Sequence, residues 1–328
     1  MDGGPHHRDA PARAGVRDRG AERPAVSIAP SRTTATAIGF VAILLWALLA
    51  LFTVGSEPVP PLQLNAICFT IGGLIGLGWC AARPGGFARM VQPGWKVITF
   101  GTLGLFGYHL LYFSALRVAP PAQAGLIAYL WPLFIVLFSG LLPGEKLRPG
   151  HILGALIGFA GAALLISKGG GGFTREWALG YALAFACALT WSGYSVLSRR
   201  LGEAPSEVVT LFCLASALLS GVAHLALEQT AWPEGGLGWV SLLALGLGPV
   251  GLAFYTWDIG MKRGNIQLLG TASYAAPLLS TLALVLAGVA KPTEWLAASA
   301  LLITLGAVLA ALASRRAAKL AKLTSPVG

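Results

Sequence analysis

Of the chain's 328 residues, 55% are hydrophobic and only 11% are charged, against about 25% charged in an ordinary soluble domain. With a mean hydropathy of +0.72, this composition excludes a cytosolic enzyme, a disordered chain and a secreted disulfide scaffold. It points to an all-α integral membrane protein with many spans. The 23 basic and 13 acidic residues leave a net charge of +10. In a membrane protein basic residues set topology, so no nucleic-acid partner is needed to explain that excess.

Residues 1–33 are rich in Pro, Gly, Arg and His and have almost no apolar periodicity. They read as a disordered basic N-terminal tail, and His6-His7 within it implies no metal site. Ten apolar runs follow, near 34–54, 62–82, 95–115, 121–141, 150–167, 177–198, 206–227, 238–257, 267–288 and 295–313. Each approaches the roughly 20 residues that a membrane-crossing helix needs. The first is too long for a cleaved signal peptide, and further spans follow it. Short Pro/Gly turns separate several runs, for example 118–121 and 143–150, so neighbouring helices should be antiparallel. Cys68, Cys80, Cys187 and Cys213 all fall inside apolar runs and read as small hydrophobes.

Counting Lys and Arg sets the orientation. With the N-terminus inside and the spans alternating, the inner segments hold 19 of them. The outer segments hold four: Arg117, Lys168, Arg175 and Lys291. That asymmetry predicts N-in, C-in and an even number of spans.

A shift of 145 residues lays the chain on itself without gaps. Trp46 falls on Trp191, Pro60 on Pro205, Cys68 on Cys213, Tyr129 on Tyr274, Pro132 on Pro277 and Lys146 on Lys291. The expected architecture is therefore ten transmembrane helices as two five-helix repeats. The repeats are 34–168 and 177–313, with a Gly-rich connector at 169–176 and a basic C-terminal tail at 314–328. Five is odd, so the second repeat enters from the opposite side and the repeats are inverted, a common transporter plan with its site near the midplane. Pro132 and Pro277 sit mid-span at matched positions. Each removes a helical hydrogen bond and should kink its helix towards protein or a cavity.

Ionisable residues inside a membrane are the first functional candidates, and here they are few. Asp258, His151 and His224 fall near span ends and are expected at the interface, with Lys262 and Arg263 in an inner loop. His109 lies near mid-span between Tyr108 and Tyr112. Trp79, Trp95, Trp177, Trp239, Trp257 and Trp295 read as interfacial belts. Trp46, Trp131, Trp191, Tyr108, Tyr129 and Tyr274 sit deeper, and Tyr194 shares a helix face with Trp191. An aromatic wall without fixed charge suits flat or cationic organic solutes.

The ten runs, the five-plus-five repeat and the Pro-containing fourth and ninth runs resemble the EamA-type branch of the drug/metabolite transporter superfamily. The segment from Ala115 to Pro132 is similar to the third-to-fourth-span segment of that family. Its Ala128-Tyr129-Leu130-Trp131-Pro132 ending is most similar to the family's aromatic amino acid exporters. The resemblance spans 34–313 and implies a secondary transporter of the bacterial inner membrane that exports aromatic and other amino acids. By position, the implied cavity residues are Trp46, Tyr108, His109, Tyr112, Tyr129, Trp131, Trp191, Tyr194 and Tyr274. The alternative is a broad-range exporter of flat or cationic drugs and metabolites.

No catalytic or metal site is expected. The acidic residues form no DxxD-type pair in or beside a span, as phosphate-transfer enzymes with Mg²⁺ require. No P-loop is present, so no nucleotide or other cofactor is expected to drive transport. The expected partners are membrane lipid and a small-molecule substrate, for a chain working as a monomer. Proton exchange through His109 and facilitated diffusion both remain open.

Overall fold

In the bilayer core no water can satisfy a free amide, and a helix satisfies its own within one segment. The computed structural model describes residues 30–166, 173–201, 204–292 and 294–324, with Met1, Gly3 and Gly4. Most of the expected disordered tail, and much of the Gly-rich connector, lie outside these residues. Among the described residues every regular element is helical.

The first run forms α1 (Arg32–Trp46) and α2 (Leu49–Gly55), with the Ser31 side chain capping α1 by accepting from the Thr34 amide. The second is α3 (Pro61–Ala81), followed by a short α4 (Gly86–Val91). The third is α5 (Gly94–Val118). The fourth divides into α6 (Pro121–Ala128) and α7 (Trp131–Ser139), and the fifth is α8 (Pro149–Ile166). The second half runs through α9 (Ala178–Ser198) and α10 (Val209–Leu227) to α11 (Gly235–Leu247). A π-helical turn, Gly248–Leu252, joins α11 to α12 (Ala253–Arg263). Then come α13 (Ile266–Ala272), α14 (Ala275–Leu286) and α15 (Trp295–Thr324).

Eight segments are long and apolar enough to cross a membrane, and Gln123–Ser139 is a shorter apolar helix. α9 is long enough but falls outside the eight. Thr190, Trp191, Ser192, Tyr194 and Ser195 dilute its apolar character. α15 continues past Ala313, so the described part of the basic C-terminal segment is helical.

The most extensive pairings are α8 with α15, α3 with α10, α5 with α9, and α1 with α12. Small residues set the closest of them, as packing between apolar helices in lipid demands. A Cβ on Gly306 would lie 2.5 Å from the Gly154 carbonyl oxygen, and one on Gly154 would lie 2.6 Å from that of Gly306.

Charge gathers at the helix ends. At the N-terminal side Glu145 accepts from Arg32, Arg199 and Gln267, tying together the starts of α1 and α13 and the end of α9. Burial pulls the Arg199 guanidinium below its ordinary value, and Glu145 opposes that pull. Glu207 pairs with Arg83 and Arg89 on the same side. At the other end Glu228 accepts from the Leu62 and Gln63 amides, Arg117 and His224, a carboxylate at the N-terminus of α3 where the helix dipole favours it.

The groups expected near the span ends are covered by protein. Asp258 is buried, accepting from Ser206 Oγ at 2.6 Å and pairing with Lys262 Nζ at 2.9 Å, and Lys262 belongs to α12 rather than to a loop. His151 is buried beside Ser314, and His224 is buried beside Glu228 and Thr230. Each of these side chains has a polar partner within reach, although Asp258 Oδ1 is left without one.

Gly306→Leu should force α8 and α15 apart at a cost of about 1–3 kcal/mol or more. The expected outcome is a lower unfolding temperature in detergent. Gly193→Ala, where a Cβ meets nothing within 4 Å, should leave that temperature unchanged.

Candidate substrate cavity

Four helices are interrupted in the middle of the fold. α1 breaks from α2 at Ala47-Leu48, α6 from α7 at Tyr129-Leu130, and α13 from α14 at Ser273-Tyr274, while the π turn separates α11 from α12. Pro132 is the second residue of α7 and Pro277 the third of α14, so each proline follows its break, where a missing amide costs least. Each of the four interruptions contributes to the wall of one cavity of about 140 Å³. From them come Leu49, Ala128, Tyr129, Trp131, Pro249, Val250 and Ala276. The rest of the wall is Trp46 from α1, Tyr108, His109 and Tyr112 from α5, Trp191 from α9 and Phe254 from α12. The volume is below the roughly 300 Å³ of a drug-sized pocket. It suits one small solute.

The rings form a continuous cluster. Trp46 meets Trp131 at 6.1 Å, Trp191 at 5.9 Å and Trp257 at 5.0 Å between centroids. Tyr108 stacks on Tyr112 with an interplanar angle of 3° and tilts against Trp191 at 5.3 Å. Two indole N–H groups hold the cluster in place. Trp46 Nε1 donates to the Pro249 carbonyl at 3.1 Å, satisfying the π turn, and Trp257 Nε1 donates to Ser195 Oγ at 3.0 Å.

His109 is enclosed by rings, with Phe69 at 5.2 Å, Tyr108 at 5.1 Å, and Phe113 and Phe254 both at 6.1 Å. Its Nδ1 lies 2.7 Å from the Leu105 carbonyl oxygen, one turn back on the same helix. Among the described residues no charged side chain lines the cavity.

Seven of the nine residues singled out from the sequence are thus in one wall: Trp46, Tyr108, His109, Tyr112, Tyr129, Trp131 and Trp191. Tyr194 and Tyr274 lie outside it. Tyr194 is buried behind Trp191 at 5.4 Å and packs over Gly104. Tyr274 is buried in a separate cluster with Val136, Ala155 and Ile303, over Gly158. Trp257 is corrected from an interfacial belt to the core, 1% exposed and stacked on Trp191 at 6.3 Å. Phe254 and the π turn were missed. The shift of 145 residues does carry a signal for the first, because it places His109 on Phe254 and Tyr112 on Trp257.

The EamA-like transporter family matches the chain twice, at 33–167 and 178–312. The chain belongs to this family. Within the EamA-like family it is 56% identical over 288 residues to the aromatic amino acid exporter YddG of Ancylobacter novellus, covering 87% of this chain and all of that protein. It is 25% identical over 300 residues to the YddG of Escherichia coli K12, covering 87% of this chain and 99% of that one. A solved structure with 55% sequence identity superposes with a TM-score of 0.83, covering 87% of this chain and 100% of that one. The family drawn from Ala115 to Pro132 is therefore the one matched, and these EamA-type relatives are transporters rather than enzymes.

Trp191→Ala should remove the hub of the ring cluster and leave a void costing about 3–5 kcal/mol. The measurable outcome is a large fall in unfolding temperature. Tyr129→Ala, at a half-buried position beside a helix break, should lower it far less.

Proposed function

We propose that this EamA-family protein exports aromatic amino acids, and other amino acids less well, across the bacterial inner membrane by alternating access. The observation that carries the reading is the wall itself. It is aromatic and free of charged side chains, and it sits in a chain 56% identical to an aromatic amino acid exporter. Aromatic side chains of a substrate can stack there at an offset or edge-on. Tyrosine hydroxyls and the imidazole can meet a neutral zwitterion without a buried fixed charge.

The proposed ten spans in two inverted repeats are supported by the ten apolar runs and by the pairing of the helices. Under the shift of 145 residues, α3 maps onto α10 and α8 onto α15, so each of those two pairs maps onto itself. α1 maps onto α9 and α5 onto α11 and α12, so the α1–α12 pair maps onto α9–α5. A two-fold relation between the halves accounts for all four pairings, and an odd number of spans per half makes it inverted. Orientation follows the excess of Lys and Arg on the N-terminal side. On that side the Glu145 cluster and the Trp46–Trp131–Trp191–Trp257 floor close the path, which supports a conformation open to the outside.

A charge-free aromatic wall also admits flat organic cations, which makes a broad-range exporter the alternative. Counterflow into proteoliposomes decides between them. Labelled phenylalanine or tryptophan should exchange against unlabelled amino acid, and Tyr129→Ala should slow exchange about fivefold through a lost ring contact of ~1 kcal/mol. Exchange of cationic dyes without exchange of either amino acid would establish the alternative instead.

Topology has its own test. In a background without the four native cysteines, Lys291→Cys should be labelled by an impermeant reagent from outside, and Lys146→Cys only after permeabilisation. Labelling of both from one side would refute the inverted arrangement.

A further inference from the structure

We infer that His109 is the acceptor for the substrate's ammonium group, which makes it the residue that selects solutes carrying an amine. The inference rests on the reading of the cavity as a site for amino acids and adds the direction in which they lie.

The argument starts from the hydrogen bond at Nδ1. At 2.7 Å from the Leu105 oxygen, that ring atom cannot be carbon, because C–H···O contacts fall near 3.3–3.6 Å. The ring orientation is therefore set. A carbonyl can only accept, so the proton of this bond resides on Nδ1. An imidazole of ordinary basicity is neutral above about pH 6.5, and a neutral ring with its proton on Nδ1 carries a bare lone pair on Nε2. Among the described residues no hydrogen bond reaches that nitrogen, and it is not among the buried atoms shut off from contact. His109 therefore offers the cavity an acceptor and no donor.

The remaining polar groups complement it. Among the described residues the hydroxyls of Tyr108, Tyr112 and Tyr129 make no hydrogen bonds, nor do the indole N–H groups of Trp131 and Trp191. Indole N–H groups donate only, and hydroxyls can donate, so this part of the wall suits a carboxylate. A zwitterion whose ammonium meets the lone acceptor nitrogen and whose carboxylate meets these donors satisfies both ends without a fixed protein charge. Phe254, the counterpart of His109 in the other repeat, offers no such atom, so the amine is held on one side of the cavity only.

The test measures equilibrium binding to the purified full-length protein of three ligands sharing one ring: phenylalanine, phenethylamine and 3-phenylpropanoate. Relative to the wild type, His109→Phe should bind phenethylamine at least about tenfold more weakly, the scale of one hydrogen bond to a charged group, and 3-phenylpropanoate about as tightly. His109→Gln, whose amide oxygen accepts, should keep most of the phenethylamine affinity and serves as the decisive variant where Phe does not fold. Unchanged phenethylamine affinity in His109→Phe overturns the inference, as does an equal loss for both ligands in either variant. If phenylalanine and 3-phenylpropanoate bind and phenethylamine does not, the amino acid site stands and only its orientation is wrong. If none of the three binds, both the site and its orientation fall.

Discussion

A break in a helix inside a membrane exposes backbone groups that lipid cannot satisfy. That constraint organises the middle of this protein. The four interruptions, at Ala47-Leu48, Tyr129-Leu130, the Gly248–Leu252 turn and Ser273-Tyr274, all lie at or near residues that line one cavity, Leu49, Tyr129, Pro249 and Ala276 among them. Facing inward is the arrangement in which their free carbonyls find protein or cavity water. One of them shows the solution directly, because the Pro249 carbonyl of the π turn accepts from the Trp46 indole. A residue that lines the cavity is also the one that stabilises a break in its wall. Binding surface and backbone satisfaction are thus built from the same side chains.

Charge is distributed by the same logic. Taking an ion into low dielectric is costly unless it is paired and hydrogen-bonded. Glu145, Glu207, Glu228 and Asp258 are all buried or nearly so, and each has a cation or several donors within reach. They sit towards the helix ends, and Glu145, Glu207 and Glu228 join elements from both halves. The cavity between them has only neutral polar atoms. A wall without fixed charge demands little of a zwitterionic solute, whose two charges already balance. It would be a poor host for an organic phosphate, which needs inward Lys or Arg.

Much of this was legible in the sequence, because rare residues carried it. Pro132 and Pro277 marked two of the four breaks, and the deep Trp and Tyr positions marked most of the wall. What escaped had a physical cause in each case. The π turn contains Pro249, but its counterpart in the first half is Gly104, so the repeat offered no matched proline to draw attention to it. Trp257 closes the eighth apolar run, where a Trp ordinarily belongs to an interfacial belt. The charge of Asp258 is balanced by Lys262, and its Oδ2 also accepts from Ser206, so α12 stays buried past the point where the apolar pattern stops. Tyr194 and Tyr274 had the right depth and helix face, but Gly104 and Gly158 on neighbouring helices leave room for their rings, and both turn into packing. Depth can be counted along one helix, whereas the gap opened by a glycine on the next cannot.

The two repeats are alike in path but not in chemistry, and the difference falls where it matters. Trp46 and Trp191 are counterparts, and both line the cavity. Tyr112 and Trp257 are counterparts, as are His109 and Phe254, whose rings meet at 6.1 Å. The aromatic positions are therefore largely shared by the two repeats. The polar atoms are not, since Tyr108, His109 and Tyr112 of α5 have Ala253, Phe254 and Trp257 of α12 as their counterparts. A strictly symmetric cavity would hold an asymmetric solute equally well in two opposed orientations. A bare acceptor nitrogen at His109, with none at its counterpart Phe254, favours one orientation.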